Sequence, residues 1–156
     1  MKNSLFIVLI ALAFGACQTN IDVFEKNIAI PEHAWSSGFK PEIKFTVRDT
    51  LSRYNIYAVI RHTDAYEFNN IWLNIYTKIP GDSITRKQQL DLKLATDEKG
   101  WLGSGMDDIF EHRILITAQP EALNKAGEYI FRLENIMRVD PLPEVLNIGI
   151  RVEKAK

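Results

Sequence analysis

The sequence predicts an all-β chain folded as a single antiparallel β-sandwich of about eight strands. Three observations carry that expectation. Apolar residues recur at every second position in several runs, the spacing of a strand with one buried and one wet face rather than that of an amphipathic helix. Two further runs, residues 54–60 (YNIYAVI) and 71–76 (IWLNIY), are apolar on both faces and rich in β-branched and aromatic side chains, as central strands are. Pro80-Gly81-Asp82-Ser83 is a turn tetrapeptide between two strand-like runs, and a hairpin there makes the pairing antiparallel.

The elements follow in order. A first strand is expected over residues 23–28. Ile43, Phe45 and Val47 then alternate with Lys44, Thr46 and Arg48, which gives a second with one wet face. Residues 54–60 and 71–79 form the middle of the sheets. Beyond the turn, residues 84–94 place Leu90, Leu92 and Leu94 on one face and Gln89, Asp91 and Lys93 on the other. Strands over 113–118 and 128–134 follow, and Ile148, Ile150 and Val152, alternating with Gly149, Arg151 and Glu153, complete the set. That number is enough for two stacked sheets. Two short stretches depart from the pattern: 121–125, expected as one helical turn begun by Pro120 and stopped near Gly127, and 135–139, expected as a short turn that crosses between the sheets.

The N-terminus has a different character. Lys2 precedes an unbroken apolar stretch over residues 5–14 (LFIVLIALAF), which has the length of a secretory h-region and is too short to span a bilayer. Gly15 and Ala16 supply small residues for cleavage, and Phe14-Gly15-Ala16-Cys17 resembles a bacterial lipobox, with Phe14 where an aliphatic residue is usual. The expected organisation is a cleaved lipoprotein signal peptide over 1–16, an acylated Cys17 with a short tether over 17–22, and the sandwich domain over 23–156. Such a cysteine carries several acyl chains, palmitate included, and more than one chain gives stable anchoring. The other reading is an ordinary signal peptide that leaves Cys17 a free thiol.

Composition narrows the function. Without its first 16 residues the 156-residue chain is one domain's worth, large enough to hold a core without disulfides. Cys17 is the sole cysteine, so once acylated it leaves no thiol for redox chemistry or a zinc cluster. Lys and Arg nearly balance Asp and Glu, and no basic run or acidic tail points to nucleic acid or to an anionic lipid surface. Membrane association is expected from the acyl chains. No cofactor is called for.

A search for chemistry finds little. His33, His62 and His112 are scattered, with no H-x-x-x-H or H-x-x-E-H pairing. Ser104 sits between Gly103 and Gly105, but Leu102 and Met106 occupy the positions where a nucleophile elbow needs glycine, so a turn is the simpler account. Asp107, Asp108 and Glu111 are a weak calcium candidate, since oxygen-rich loops at a sandwich edge can hold that ion, though a solvated acidic turn explains them equally. Trp35, Trp72 and Trp101 with Tyr57, Tyr66 and Tyr76 could build a platform for sugar rings, or could simply fill the core. Trp72 and Tyr76 share a parity opposite to Ile71, Leu73 and Ile75, so one face of that strand is a second buried surface or an exposed patch. The stretch 61–70, with Asp64 and Tyr66, is either held by its own hydrogen bonds or is a recognition loop. Trp72, Tyr76, Asp64, Tyr66 and Trp101 are therefore the candidate partner or ligand surface.

Several segments resemble the GldH family of gliding-motility lipoproteins of Bacteroidota. The most specific is Arg61-His62-Thr63-Asp64-Ala65-Tyr66-Glu67-Phe68-Asn69-Asn70-Ile71-Trp72-Leu73. A second is Gly100-Trp101-Leu102-Gly103-Ser104-Gly105, and a third runs from Gly127-Glu128-Tyr129 through Met137-Arg138 to Ile148-Gly149-Ile150, with Cys17, Phe24 and Trp35 similar as well. The resemblance implies a lipoprotein associated with gliding and with type 9 secretion, and no catalytic residue. Such families also occur in relatives that do not glide, so a cell-envelope role is the broader implication. The expected function is non-enzymatic, with envelope proteins as partners; the alternative is a lipoprotein that binds glycan or peptidoglycan. Gln18 rather than aspartate after the cysteine favours the outer membrane, and the single acid in residues 18–22 favours its periplasmic face.

Overall fold

The structure is a computed structural model and describes residues 23–156. The expected signal peptide, Cys17 and the tether lie outside the described residues. In chain order the strands are β1 (Val23–Ala29), β2 (Ala34–Trp35), β3 (Glu42–Val47), β4 (Arg53–Thr63), β5 (Asn70–Lys78), β6 (Thr85–Lys93), β7 (Ala95–Thr96), β8 (Gly100–Trp101), β9 (Ser104–Met106), β10 (Ile109–Leu115), β11 (Glu121–Ala122), β12 (Gly127–Asn135), β13 (Leu142–Pro143) and β14 (Val145–Lys154). No α-helix occurs among the described residues.

The long strands form two antiparallel sheets. The larger runs β1-β14-β4-β10-β9, with β11 added to β4, and the smaller runs β3-β12-β5-β6. The doubly apolar runs take interior places, β4 between β14 and β10 and β5 between β12 and β6. Their inward faces meet in one core: Ile60, Ile148 and Ile150 from the larger sheet and Ile71, Leu73 and Leu133 from the smaller are all essentially water-free. Each such side chain contributes roughly 1.5–3 kcal/mol over leaving it in water. Phe24 of β1 packs against Phe45 of β3, the rings tilted by 45° with centroids 5.1 Å apart, which joins the layers at their shared edge. Trp35 is fully buried and donates its indole N–H to the Phe39 carbonyl at 2.8 Å, so the tryptophan brings its polar atom into the core already paired.

The outer face of the larger sheet carries a run of ion pairs from its middle to its edge. Arg61 pairs with Glu111; Arg113 then reaches Glu111 at 2.7 Å and Glu25 at 3.2 Å, and Arg151 reaches Glu25 at 2.9 Å and Glu153 at 2.5 Å. Beneath it Asn27 of β1 lies over Gly149 of β14, where an added Cβ would fall 1.9 Å from the Asn27 Oδ1. Glycine is required there by the close approach of the two strands.

Two expectations need correction. Residues 121–125 form no helical turn: Glu121 and Ala122 pair with Tyr54 and Arg53 as β11. So short a segment cannot repay helix nucleation, whereas β4 offers it a ready ladder. The strand expected over 113–118 is Ile109–Leu115, because the turn at Asp107, with φ of 55°, returns the chain as a hairpin from β9 and starts pairing earlier. The segment after Asn135 does pass from the smaller sheet to the larger, since β12 belongs to one and β14 to the other.

The sandwich thus has two distinct ends. Val23, residues 48–52, the turn at 79–84, residues 116–120 and Lys154 gather at the N-terminal end, where the described residues begin, as the pairings Val23 with Glu153, Lys154 with Tyr54 and Gly127 with Val47 require. Thr63, Asp64, Met106 to Asp108 and Glu144 lie at the far end.

Candidate functional site

At the far end the alternation along β4 decides what is buried. Tyr54, Ile56, Ala58, Ile60 and His62 point inward, so His62 enters the core, and His112 enters beside it from β10. The two Nε2 atoms are 2.9 Å apart and the rings stack with centroids at 5.0 Å. His62 Nδ1 lies 2.6 Å from the Thr63 carbonyl. A carbonyl only accepts, so the hydrogen-bond network assigns the His62 proton to Nδ1; its Nε2 then accepts, and His112 Nε2 donates. Both rings are neutral in this arrangement. Burial depresses His62, and burial followed by the neighbouring imidazole depresses His112 to about 4.

Aromatic rings seal the pair. Trp101 lies 4.4 Å from the His62 ring, Tyr66 5.0 Å and Phe110 5.9 Å. Tyr66 is buried, donates its hydroxyl to the Asn70 carbonyl at 2.9 Å, and has its phenol pushed up by burial. Gly103 makes the closure possible: a Cβ there would stand 2.5 Å from the Glu111 carbonyl and 2.9 Å from His112 Nε2. The loop from β4 to β5 is held by side-chain to backbone bonds, among them Ala65 N–H to Thr63 Oγ1 at 3.3 Å. Asp64 is exposed and donates its N–H to the Asp108 carbonyl at 2.8 Å. The structure therefore gathers Tyr66, Trp101 and Asp64 at one end around a dry histidine pair that no spacing in the sequence disclosed.

Trp72 and Tyr76 lie elsewhere, on the outer face of the smaller sheet, while Ile71, Leu73 and Ile75 fill the core. Tyr76 donates to Glu134 at 2.7 Å, Asn74 donates to the same oxygen at 2.9 Å, and Lys40 pairs with the other at 2.5 Å. These hydrogen bonds, from Lys40 first, hold Glu134 down at about 2. The Arg132 guanidinium covers the Tyr76 ring at 4.7 Å, with the Lys87 ammonium 5.8 Å away. Trp72 remains partly open to water. Trp35 is core and Tyr57 stands beside Glu153 on the other sheet, so the six aromatics do not assemble into one platform.

Asp107 and Asp108 occupy the exposed turn before β10, whereas both Glu111 oxygens face arginines. Among the described residues no three His, Cys, Asp or Glu side chains converge as a metal site. A cleft of about 330 Å³ opens between the sheets at the N-terminal end, lined by Ile56, Thr77, Ile116, Leu123 and Tyr129, among others. Arg86 with Glu121 at 3.1 Å and Lys125 with Asp82 at 2.5 Å sit at its rim. Residues from several separate segments form it, which no local pattern could reveal.

Known proteins give this arrangement a context. A gliding motility lipoprotein of Flavobacterium johnsoniae is 24% identical over 161 residues, covering 99% of this chain and 98% of its own. A homolog of that lipoprotein from Christiangramia forsetii is 25% identical over 159 residues, covering 97% and 94%. Among solved structures, a chain of the infectious bursal disease virus VP2 subviral particle aligns with 83% of this chain at 12% identity and a TM-score of 0.38, too distant a likeness to bear on fold or function. This chain spans about a third of that one, 32%. The family model described as GldH lipoprotein matches residues 22–152, nearly the whole described domain, and the chain belongs to the GldH lipoprotein family.

Proposed function

We propose that this protein is a non-enzymatic, lipid-anchored component of the cell envelope that serves the gliding motility and type 9 secretion machinery as an interaction module. The observation that carries this is the family match over residues 22–152 on a chain whose Cys17 follows a signal-like apolar stretch and the small residues Gly15 and Ala16. Residues 1–16 are removed on export, Cys17 is acylated, and residues 23–156 form the module, held at the outer membrane and facing the periplasm. The histidine pair is buried, Glu134 and Glu111 are tied to cations, and the far end offers Asp64 and the rim of the Tyr66 and Trp101 cluster as a surface for envelope proteins. A glycan-binding role has less support, because Arg132 covers Tyr76 and leaves Trp72 as the partly open ring of that face.

Deletion of the gene in a gliding host is expected to abolish spreading and the secretion of type 9 substrates. A deletion strain that spreads and secretes normally would sink the proposal. Cys17→Ser is expected to move the protein from the membrane to the soluble fraction, followed by immunoblot.

A further inference from the structure

We infer that the end of the sandwich from which the tether leaves is a bilayer-seating surface, with Leu51 and Ile84 entering the lipid interface. This rests on acylation of Cys17 and goes beyond it by fixing which face of the domain meets the membrane.

Reach comes first. Six residues carry the chain from Cys17 to Val23, and fully extended they span about 20 Å. The eleven residues of β4 make the sandwich about 35 Å long. With the far end resting on the bilayer, Val23 would stand higher than the tether reaches. Met106, the most exposed apolar residue of that far end, is therefore held away from lipid. The domain can meet the membrane with its tether end or with a flank.

Surface chemistry separates those two. The outer face of the larger sheet presents the ion-pair run from Arg61 to Glu153, which would have to be desolvated on contact. The tether end instead presents branched aliphatic side chains on projecting segments: Leu51 is 96% exposed between β3 and β4, and Ile84 is 76% exposed in the turn before β6. Leu115 and Val23, also exposed, belong by parity to the outer face of the larger sheet, with Arg113 and Glu25. Singly exposed aliphatics are ordinary, but Leu51 and Ile84 stand on separate projecting loops, 48–52 and 79–84, at the end where the anchor arrives. The side-chain carboxylates of this end already hold cations, Asp49 with Lys154, Asp82 with Lys125, Glu121 with Arg86, Glu128 with Lys44 and Glu153 with Arg151, so they do not set a bare negative charge against lipid phosphates.

The test uses full-length protein acylated in a bacterial host and reconstituted in vesicles of phosphatidylethanolamine and phosphatidylglycerol. Because Cys17 is the sole cysteine and is acylated, an introduced cysteine is the single free thiol. Leu51→Cys, Ile84→Cys and Met106→Cys are each labelled with an environment-sensitive fluorophore, and spin-labelled lipid is added as quencher. The expected result is a blue shift and loss of emission at positions 51 and 84, and neither at 106. Water-like emission at 51 and 84 on protein whose N-terminal peptide shows acyl mass would overturn the seating while the anchor stands. An N-terminal peptide without acyl mass would overturn both. Shielding of position 51 in unacylated Cys17→Ser protein free of vesicles, with the mass of a dimer, would assign this end to a second copy and likewise overturn the seating.

Discussion

Acid should weaken this fold well above the range where carboxylates titrate, and the buried histidine pair sets the size of the effect. His112 sits at about 4 in the folded protein against an ordinary value of 6.5. A depressed imidazole means that the unfolded chain takes up the proton first, so the stability is fully present above 6.5 and is lost as the pH falls from there through 4. At 1.36 kcal/mol for each pH unit of separation, the whole window is worth about 3 kcal/mol, of which about 2 kcal/mol is gone at pH 5. His62 moves in the same direction and adds to the loss. Glu134, held at about 2 against 4.5, contributes stability above 4.5 that is lost as the pH falls towards 2, so the interval from pH 7 to 5 isolates the imidazoles. Urea unfolding of residues 23–156 at closely spaced pH, followed by tryptophan emission, reads the free energy directly. His112→Gln cannot titrate and should flatten the slope by about one proton, whatever it does to stability at pH 7. A wild-type free energy that changes by less than about 0.5 kcal/mol from pH 7 to 5 would refute the reading of the pair as dry and neutral.

Other substitutions probe the packing. Gly149→Ala places a methyl 2.6 Å from the Lys26 carbonyl as well as against Asn27, so β1 must shift; a loss of about 1–3 kcal/mol with faster amide exchange along β1 is expected, and unchanged exchange would contradict it. Asn135→Ala removes the donor to the Trp35 carbonyl and the acceptor of the Met137 N–H, both at 2.9 Å, and should cost about 2–5 kcal/mol in urea unfolding. Glu134→Gln should reduce, without abolishing, the stability lost between pH 4.5 and 2, because Glu25, Asp49 and Asp140 are depressed as well; a smaller shift of the thermal midpoint across that interval is expected, and an unchanged shift would contradict it.

Much of the fold was legible because period-two alternation and doubly apolar runs are properties of single segments. β3, β4, β5 and β12 lie where those patterns placed them, and the hairpin at Pro80 to Ser83 joins β5 to β6 as the turn residues require. The two-residue strands β2, β7, β8, β11 and β13 were not foreseen, since a pair of residues has no period and is recruited by a neighbouring edge. The functional surface was less legible still. His62 and His112 are 50 residues apart and meet because β4 and β10 pair in one register, and the cleft draws on strands and loops of both sheets that are far apart in sequence. Parity did show that Trp72 and Tyr76 share a face. It could not show that Arg132, on the adjacent strand, would lie over the Tyr76 ring.

The ion-pair run on the larger sheet has a mechanical consequence for a sandwich loaded through its first strand. A pull applied N-terminal to Val23 would run along β1, parallel to the strand, so the seven residue pairings from Val23–Glu153 to Ala29–Asn147 would bear the load together in shear rather than open one at a time. Glu25, clasped by Arg113 and Arg151, passes part of that load sideways from the edge strand towards the middle of the sheet. The first described strand is thereby coupled to the body of the sandwich.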